Sequence, residues 1–261
     1  MRGGHAPDLS LAAHASPLRA PMAARAVQAV VPSVQGAGAR PAGAHPYCVD
    51  MPAIYLIRHG KASPEAADYD DLSPTGYEQA MLLGREIARR GLRVGPVVTG
   101  TLRRQKQTAA AALAEAGLDT APATDERWNE YDHLALLDRY APGPGSLQHR
   151  LDSCLNAWTA DGGAGKDSWT AFRDSSAAAL RDLAAGLERG STALVFTSGG
   201  VISAVCSSLL GVPASGFVSM NRVVVNGSVS KIAHGRGGTQ VLSFNDHAHL
   251  ERDGSALLTY R

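Results

Sequence analysis

Ile54-Tyr55-Leu56-Ile57-Arg58-His59-Gly60 is the stretch on which the fold of this chain turns. Four apolar residues in a row, stopped by a basic pair and a glycine, predict a short buried strand. That strand delivers Arg58 and His59 together at its carboxyl end. The pairing suits covalent phosphoryl chemistry: an imidazole can attack phosphorus, and a guanidinium presents a planar fork of donors to phosphoryl oxygens. An ordinary surface or core histidine is the plain alternative, which the tripeptide by itself does not exclude.

Outward from this strand, helices and strands alternate. Ser73-Pro74 predicts a helix start, with serine as cap and proline at the first helical position, and Gly91 predicts its stop. Tyr77, Ala80, Met81, Gly84, Ile87 and Ala88 fall on one face at helical spacing. Val97-Val98 predicts a second strand, followed by an alanine-rich helix over about 101–116. The stretch 121–145 is less regular and carries Trp128, Tyr131, His133, Tyr140 and three prolines. Gly162-Gly163 and Gly165 mark a loop before a helix over about 169–187. A strand over 193–197, a turn at Gly199-Gly200, a helix over 201–210 and two strands near 229–233 and 241–244 complete the core.

This alternation implies an α/β fold, a three-layer sandwich whose mostly parallel central sheet is flanked by helices. Sites in such sheets form at the carboxyl ends of the strands. Arg58-His59 and Ser198-Gly199 both fall at such ends and are expected to converge.

Composition narrows the function. The 261 residues suffice for one ordinary α/β domain, and 44% hydrophobic with 19% charged residues describe a soluble globular protein. A net charge of +1 argues against a general nucleic-acid binder. Cys48, Cys154 and Cys206 are far apart without a CxxC spacing, so a disulfide framework or zinc site is not expected and a reducing cytoplasm is. No apolar run reaches the length of a membrane span. Residues 1–50 are rich in Ala, Gly, Pro and Arg, with Asp8 and Asp50 the only acids. An organelle-type leader, a disordered tail and an upstream extension of the reading frame are the three readings. The last is preferred, because Met51 stands directly before the first strand. The folded domain is expected over 51–261.

The ordered segments IYLIRHG, LSPTGYEQA, TGTLRRQKQTA, ERWNEYD and VFTSGGVISA resemble the histidine phosphatase superfamily, also called the phosphoglycerate mutase-like family, over about residues 51–250. The resemblance implies that His59 is the nucleophile, forming a phosphohistidine, and that Arg58 binds phosphate. The family pattern SPLxRAxQTA reads here Gly100-Thr101-Leu102-Arg103-Arg104-Gln105-Lys106-Gln107-Thr108-Ala109, so Arg104 takes the place of the second phosphate-binding arginine. Arg103 is expected to be a solvated charge. Glu130 best matches the acid that protonates the leaving oxygen, with Asp132 its rival and Glu126 a distant third. Aromatic neighbours favour a raised pKa at Glu130, while arginines and phosphate push in opposite directions, so no value follows. No metal or other cofactor is implied, because Arg58, Arg104 and helix amides supply the charge.

Two positions depart from the family's pattern. Ser198 stands where the resemblance places a histidine that binds phosphate. Charge-assisted hydrogen bonds contribute about 1.5–3 kcal/mol against about 1 for neutral ones, so the rate is expected to be lower by roughly tenfold or more. The amides of Gly199 and Gly200, and the Thr197 and Ser198 hydroxyls, still favour an anion. Ser198→His is expected to raise turnover. Glu65 stands where the mutases carry asparagine; the loop through Ala67 and Asp68 is expected to turn outward, with Lys61 or Ser63 nearer the mouth. His247 and His249, in a late FNDHAHL segment, are expected to pack or cap, and Asp246-His247-Ala248-His249 lacks a third ligand for a metal.

The favoured function is a phosphomonoester hydrolase acting on a small phosphorylated substrate through His59. A weak or inactive domain that binds a phosphorylated ligand or a partner is the alternative, and phosphoglycerate mutase the least favoured reading. Pocket walls are expected from residues 128–140 and from the glycine-rich loop near Lys166.

Overall fold

Every residue of β1 (Ala53–Arg58) is buried, as its unbroken apolar run predicts. In this computed structural model, which describes residues 51–63, 70–252 and 255–260, β1 lies near the middle of a six-stranded sheet. The readings of residues 1–50 and of Glu65, Ala67 and Asp68 lie outside the described residues. β1 pairs parallel with β4 (Thr192–Thr197) and antiparallel with β5 (Val229–Gly235). β2 (Val94–Thr99) runs parallel on the far side of β4, and the two-residue β3 (Ala123–Thr124) runs parallel to β2. β6 (Gly238–Asp246) completes the order β3-β2-β4-β1-β5-β6. Only Arg236-Gly237 separate β5 from β6. Two residues make a hairpin but not a crossover, so β5 and β6 are antiparallel; β5 also runs antiparallel to β1, while β3, β2, β4 and β1 are mutually parallel.

Strand alternation divides the core between two helical layers. Tyr55, Ile57, Leu194 and Phe196 face α1 (Pro74–Arg90) and α2 (Arg103–Glu115), meeting Leu83, Ile87, Ala109 and Leu113. Ile54, Leu56, Ala193 and Val195 face α5 (Trp169–Ala185) and α6 (Gly199–Leu209). The three-layer sandwich is therefore present. A third cluster joins α3 (His133–Tyr140), α4 (Leu147–Ala160) and α7 (Ala214–Val223) through Leu136, Leu155, Trp158 and Phe217. A short α8 (Ala248–Glu251) follows β6.

Helix α1 begins and ends as its sequence predicts. The Ser73 hydroxyl accepts from Gly76 N, Pro74 is the first residue, and Gly91 adopts the left-handed φ of 58°. Its inward face is corrected. Tyr77 and Met81 are 41% and 39% exposed, whereas Gly76, Gln79, Ala80, Leu83, Gly84 and Ile87 are buried. The cause is the close crossing of α2 at Gly84, where a Cβ would strike the Ala112 carbonyl. The close approach at Gly84 centres the buried stripe on Ala80, Leu83, Gly84 and Ile87, so Tyr77, Met81 and Ala88 turn outward. Gly199-Gly200 is also corrected: it forms the first turn of α6 and not a separate turn.

Candidate active site

The pairing of β1 with β4 continues one residue beyond the strand, His59 N donating to Thr197 O at 2.9 Å. Alternation then sends the His59 side chain toward α2, on the face of Tyr55 and Ile57. The first turn of α2 brings Arg104 there, and Arg104 Nε donates to His59 Nε2 at 3.1 Å. His59 Nδ1 lies 2.7 Å from the Gly60 carbonyl. A carbonyl only accepts, so Nδ1 carries the proton and Nε2 holds the lone pair, a tautomer assigned from the hydrogen-bond network. Burial pushes the His59 pKa well below its ordinary value, and the nearby charges of Arg104 and Arg58 push it further. The imidazole is neutral at pH 7 and available as a nucleophile.

The backbone around this histidine is pinned. Asn226 Nδ2 donates to the His59 carbonyl at 3.1 Å, and Gly60 N donates to Thr108 Oγ1 at 3.0 Å. Gly60 has to be glycine, since a Cβ would collide with the Gly76 carbonyl at the start of α1. Arg58 goes to the opposite face, where its guanidinium donates to the Val224 carbonyl. A Cβ added to Gly199 would lie 3.4 Å from Arg58 Nε, so the amino end of α6 runs directly past that guanidinium. Arg104 is also held from the outside by Asp70, with Nη1 to Oδ1 at 2.6 Å. Arg103 points away, 54% exposed, and pairs with Asp71.

Ser198, Thr197 and Glu130 surround the amino end of α6. Ser198 is fully buried and accepts from Gln105 Nε2 at 2.9 Å. Gln105 Nε2 and Thr197 Oγ1 both donate to the Trp128 carbonyl, at 3.0 and 2.6 Å. Glu130 Oε2 accepts from Gly200 N at 3.2 Å, so its carboxyl group lies at the amino end of α6. Gly200 permits that approach; a Cβ would strike Glu130 Oε1 and the Tyr131 ring. Asp132, the rival acid, is the cap of α3, its Oδ1 accepting from Leu134 N and Ala135 N at 3.0 Å each. Glu126 is exposed in the short 3-10 turn Glu126–Trp128.

The structure thus brings His59, Arg58, Arg104, Ser198, Gly199 and Glu130 to the carboxyl edge of the parallel strands. It adds residues that sequence reasoning did not assign to the site: Gln105, Asp70, Asn226 and His133. Half-buried His133 has its pKa lowered by burial, and it feels the charges of both Glu130 and Arg104. Gln105, adjacent to Arg104 in α2, carried a positional signal; Asp70 and Asn226 sit in loops, where spacing has no code. His247 and His249 lie elsewhere. His247 Nδ1 is 2.6 Å from the Asn245 carbonyl, and buried His249 holds the Gly227 carbonyl through Nε2 at 3.1 Å. Among the described residues no acidic, histidine or cysteine cluster could hold a metal, and no helix is long and apolar enough to cross a membrane.

Beside Glu130 opens a cavity of about 520 Å³, lined among others by Tyr131, Ala135, Arg139, Trp158, Lys166 and Phe172. Residues of the stretch 128–140 and Lys166 line it, together with Trp158 from α4 and Ala171, Phe172 and Ser175 from α5.

The family model described as the histidine phosphatase superfamily (branch 1) matches residues 54–247. A 2,3-bisphosphoglycerate-dependent phosphoglycerate mutase of Thermobifida fusca is 39% identical over 93 residues, 33% of this chain and only 38% of that protein's length. Among solved structures, a mycobacterial glucosyl-3-phosphoglycerate phosphatase superposes with a TM-score of 0.56 at 22% identity, covering 75% of this chain and 99% of that one. A phosphoglycerate mutase of Bacillus anthracis gives 0.56 at 19%, covering 77% and 96%. A phosphoserine phosphatase variant of Entamoeba histolytica, solved with phosphoserine, gives 0.55 at 20%, covering 77% and 100%. At these identities the structural likeness speaks for the fold.

Proposed function

This chain belongs to the histidine phosphatase superfamily, branch 1, and from that premise we propose that it hydrolyses phosphomonoesters of small molecules through a phosphohistidine on His59. The observation that carries the reading is the buried, neutral imidazole whose Nε2 lone pair is held against Arg104. An arriving phosphoryl oxygen takes over the Arg104 Nε donor and leaves Nε2 free to attack phosphorus. The P–O ester bond breaks as the N–P bond forms, and Glu130 gives a proton to the departing alcohol. Water then attacks the phosphohistidine, Glu130 takes back a proton, and inorganic phosphate leaves with Nε2 restored. Arg58, Arg104, the Gly199 amide and the Ser198 hydroxyl hold the phosphoryl oxygens, so the chemistry needs no cofactor.

The cavity beside Glu130 receives the alcohol part of the substrate. Phosphatase and mutase chemistry share the first half-reaction and differ in which hydroxyl accepts the phosphoryl group. Glu65, in place of the mutases' asparagine, departs from the mutase pattern and so supports hydrolysis over phosphoryl transfer to a sugar or glycerate hydroxyl. One observation favours a second reading, a weak or inactive domain that binds phosphorylated ligands: the residue at 198 is an uncharged, fully buried serine. Hydrolysis of 4-nitrophenyl phosphate by wild type and His59→Ala separates the readings. Loss of phosphate release in the variant supports the phosphatase, and equal rates contradict it. A screen of phosphorylated metabolites for phosphate release then identifies the substrate.

A further inference from the structure

We infer that Gln105 and Ser198 act as one coupled unit, in which Gln105 is a positioning residue that turns the Ser198 hydroxyl into a directed donor for the phosphoryl group. The inference rests on the phosphatase reading above. The orientation of the Gln105 amide follows from its surroundings. The Trp128 carbonyl can only accept, so the atom 3.0 Å from it is the NH2 group. The second hydrogen of that NH2 meets Ser198 Oγ at 2.9 Å, which makes Ser198 an acceptor there. The serine's own proton remains, and among the described residues no hydrogen bond from it is made. Ser198 follows Thr197 as His59 follows Arg58, and Arg58 pairs with Thr197 in the parallel register. The serine therefore lies alongside the nucleophile, on the same face of the sheet.

The arrangement leaves one group unsatisfied. Gln105 Oε1 is buried without a hydrogen-bond partner. A buried acceptor left bare calls for a reason, and keeping the NH2 group on Ser198 supplies one. The pair also accounts for the departure at position 198. Gln105 stands where the quoted family pattern has alanine, and Ser198 where it has histidine. The side-chain volume has moved from one position to the other, and Gln105 now fills the space an imidazole at 198 would need. The expectation that Ser198→His alone raises turnover is therefore replaced: the gain requires Gln105→Ala as well.

The test is steady-state hydrolysis of 4-nitrophenyl phosphate, with thermal melting to confirm folding. Gln105→Ala, Ser198→Ala and Gln105→Met, which keeps the volume but has no donor, should each lower kcat by about fivefold. The double variant Gln105→Ala/Ser198→Ala should fall no further than either single change. Gln105→Ala/Ser198→His should exceed Gln105→Ala in rate and acquire a fall in kcat/KM as pH rises through the pKa of the introduced imidazole, a limb wild type lacks. Full activity in Gln105→Met, losses that multiply in the double variant, or a gain from Ser198→His alone would each overturn the inference. If His59→Ala hydrolyses as fast as wild type, the phosphatase reading fails instead. The pair is then read by orthovanadate binding, which Gln105→Met should weaken by a similar factor and which, left unchanged, overturns it.

Discussion

Arg104 Nε and His59 Nε2 lie 3.1 Å apart, and the same guanidinium reaches Asp70 at 2.6 Å through Nη1. One arginine is therefore held between the nucleophile and an outer carboxylate, which aims its fork before any substrate arrives. Pre-aimed donors avoid reorganisation when charge develops, and this is where electrostatic catalysis gains most. Asp70→Asn keeps the shape and removes the charge. It should raise KM for 4-nitrophenyl phosphate by about three- to tenfold with a smaller effect on kcat, since a partly exposed pair contributes about 1 kcal/mol. Initial-rate measurements over a range of substrate concentrations check this.

Glu130 and Asp132 are two residues apart and do different work. Glu130 sits on the Gly200 amide beside the cavity, whereas Asp132 caps α3. Glu130→Gln should lower kcat by about 10²–10⁴-fold, the range for a lost general acid–base group. Asp132→Ala should leave kcat within about threefold and remove about 1 kcal/mol of stability, the usual worth of a helix cap. Parallel kinetics and denaturant melts of the two variants distinguish the roles.

Two buried histidines make pH predictions of known sign. His59 has its pKa lowered by burial and by Arg104 and Arg58, so the acidic limb of kcat/KM should lie well below pH 6.5. His249 is lowered to about 4, first by burial. Its native pKa is below its unfolded one, so its contribution to stability is fully present above pH 6.5 and is lost as pH falls toward 4. Wild type should lose about 2–3 kcal/mol through His249 between pH 7 and pH 4.5, and His249→Gln should show a shallower loss over the same window. Urea titrations at the two pH values supply the comparison.

The cavity beside Glu130 carries Arg139 and Lys166 against an apolar wall of Tyr131, Trp158 and Phe172. Arg139→Ala/Lys166→Ala should raise KM for a substrate whose alcohol part is anionic by about tenfold and leave that for 4-nitrophenyl phosphate within about twofold. The ratio of the two KM changes is the readout.

The sequence made β1, β2, β4 and α1 legible because each carries its own signal: an apolar run, a cap, a proline at the first turn, a terminal glycine. The convergence of Arg58-His59 with Ser198-Gly199 followed from strand ends, whereas Arg104 was legible only through the resemblance. What stayed hidden was set by tertiary approach. The inward stripe of α1 depends on Gly84 lying against α2, and at the start of α6 Gly199 lies against Asn221 and Arg58 and Gly200 against Glu130 and Tyr131, contacts between distant segments. Helix α4 carries a pattern in Leu151, Cys154, Leu155 and Trp158, with Ser146 as cap, but proline- and glycine-rich loops on either side mask it. Gln105 has only its position beside Arg104 as a signal, because an uncharged amide announces no chemistry until its partner at 198 is in place.

The central claim is a covalent bond between His59 Nε2 and phosphorus. Rapid mixing with a phosphomonoester, quenching in alkali where a phosphoramidate bond survives, and peptide mass spectrometry test it most directly. The account predicts phosphate on the peptide that contains His59, its accumulation increased in Glu130→Gln when the leaving group is 4-nitrophenolate, and none in His59→Ala. Turnover of substrate with no phosphorylated His59 peptide at any quench time would contradict it.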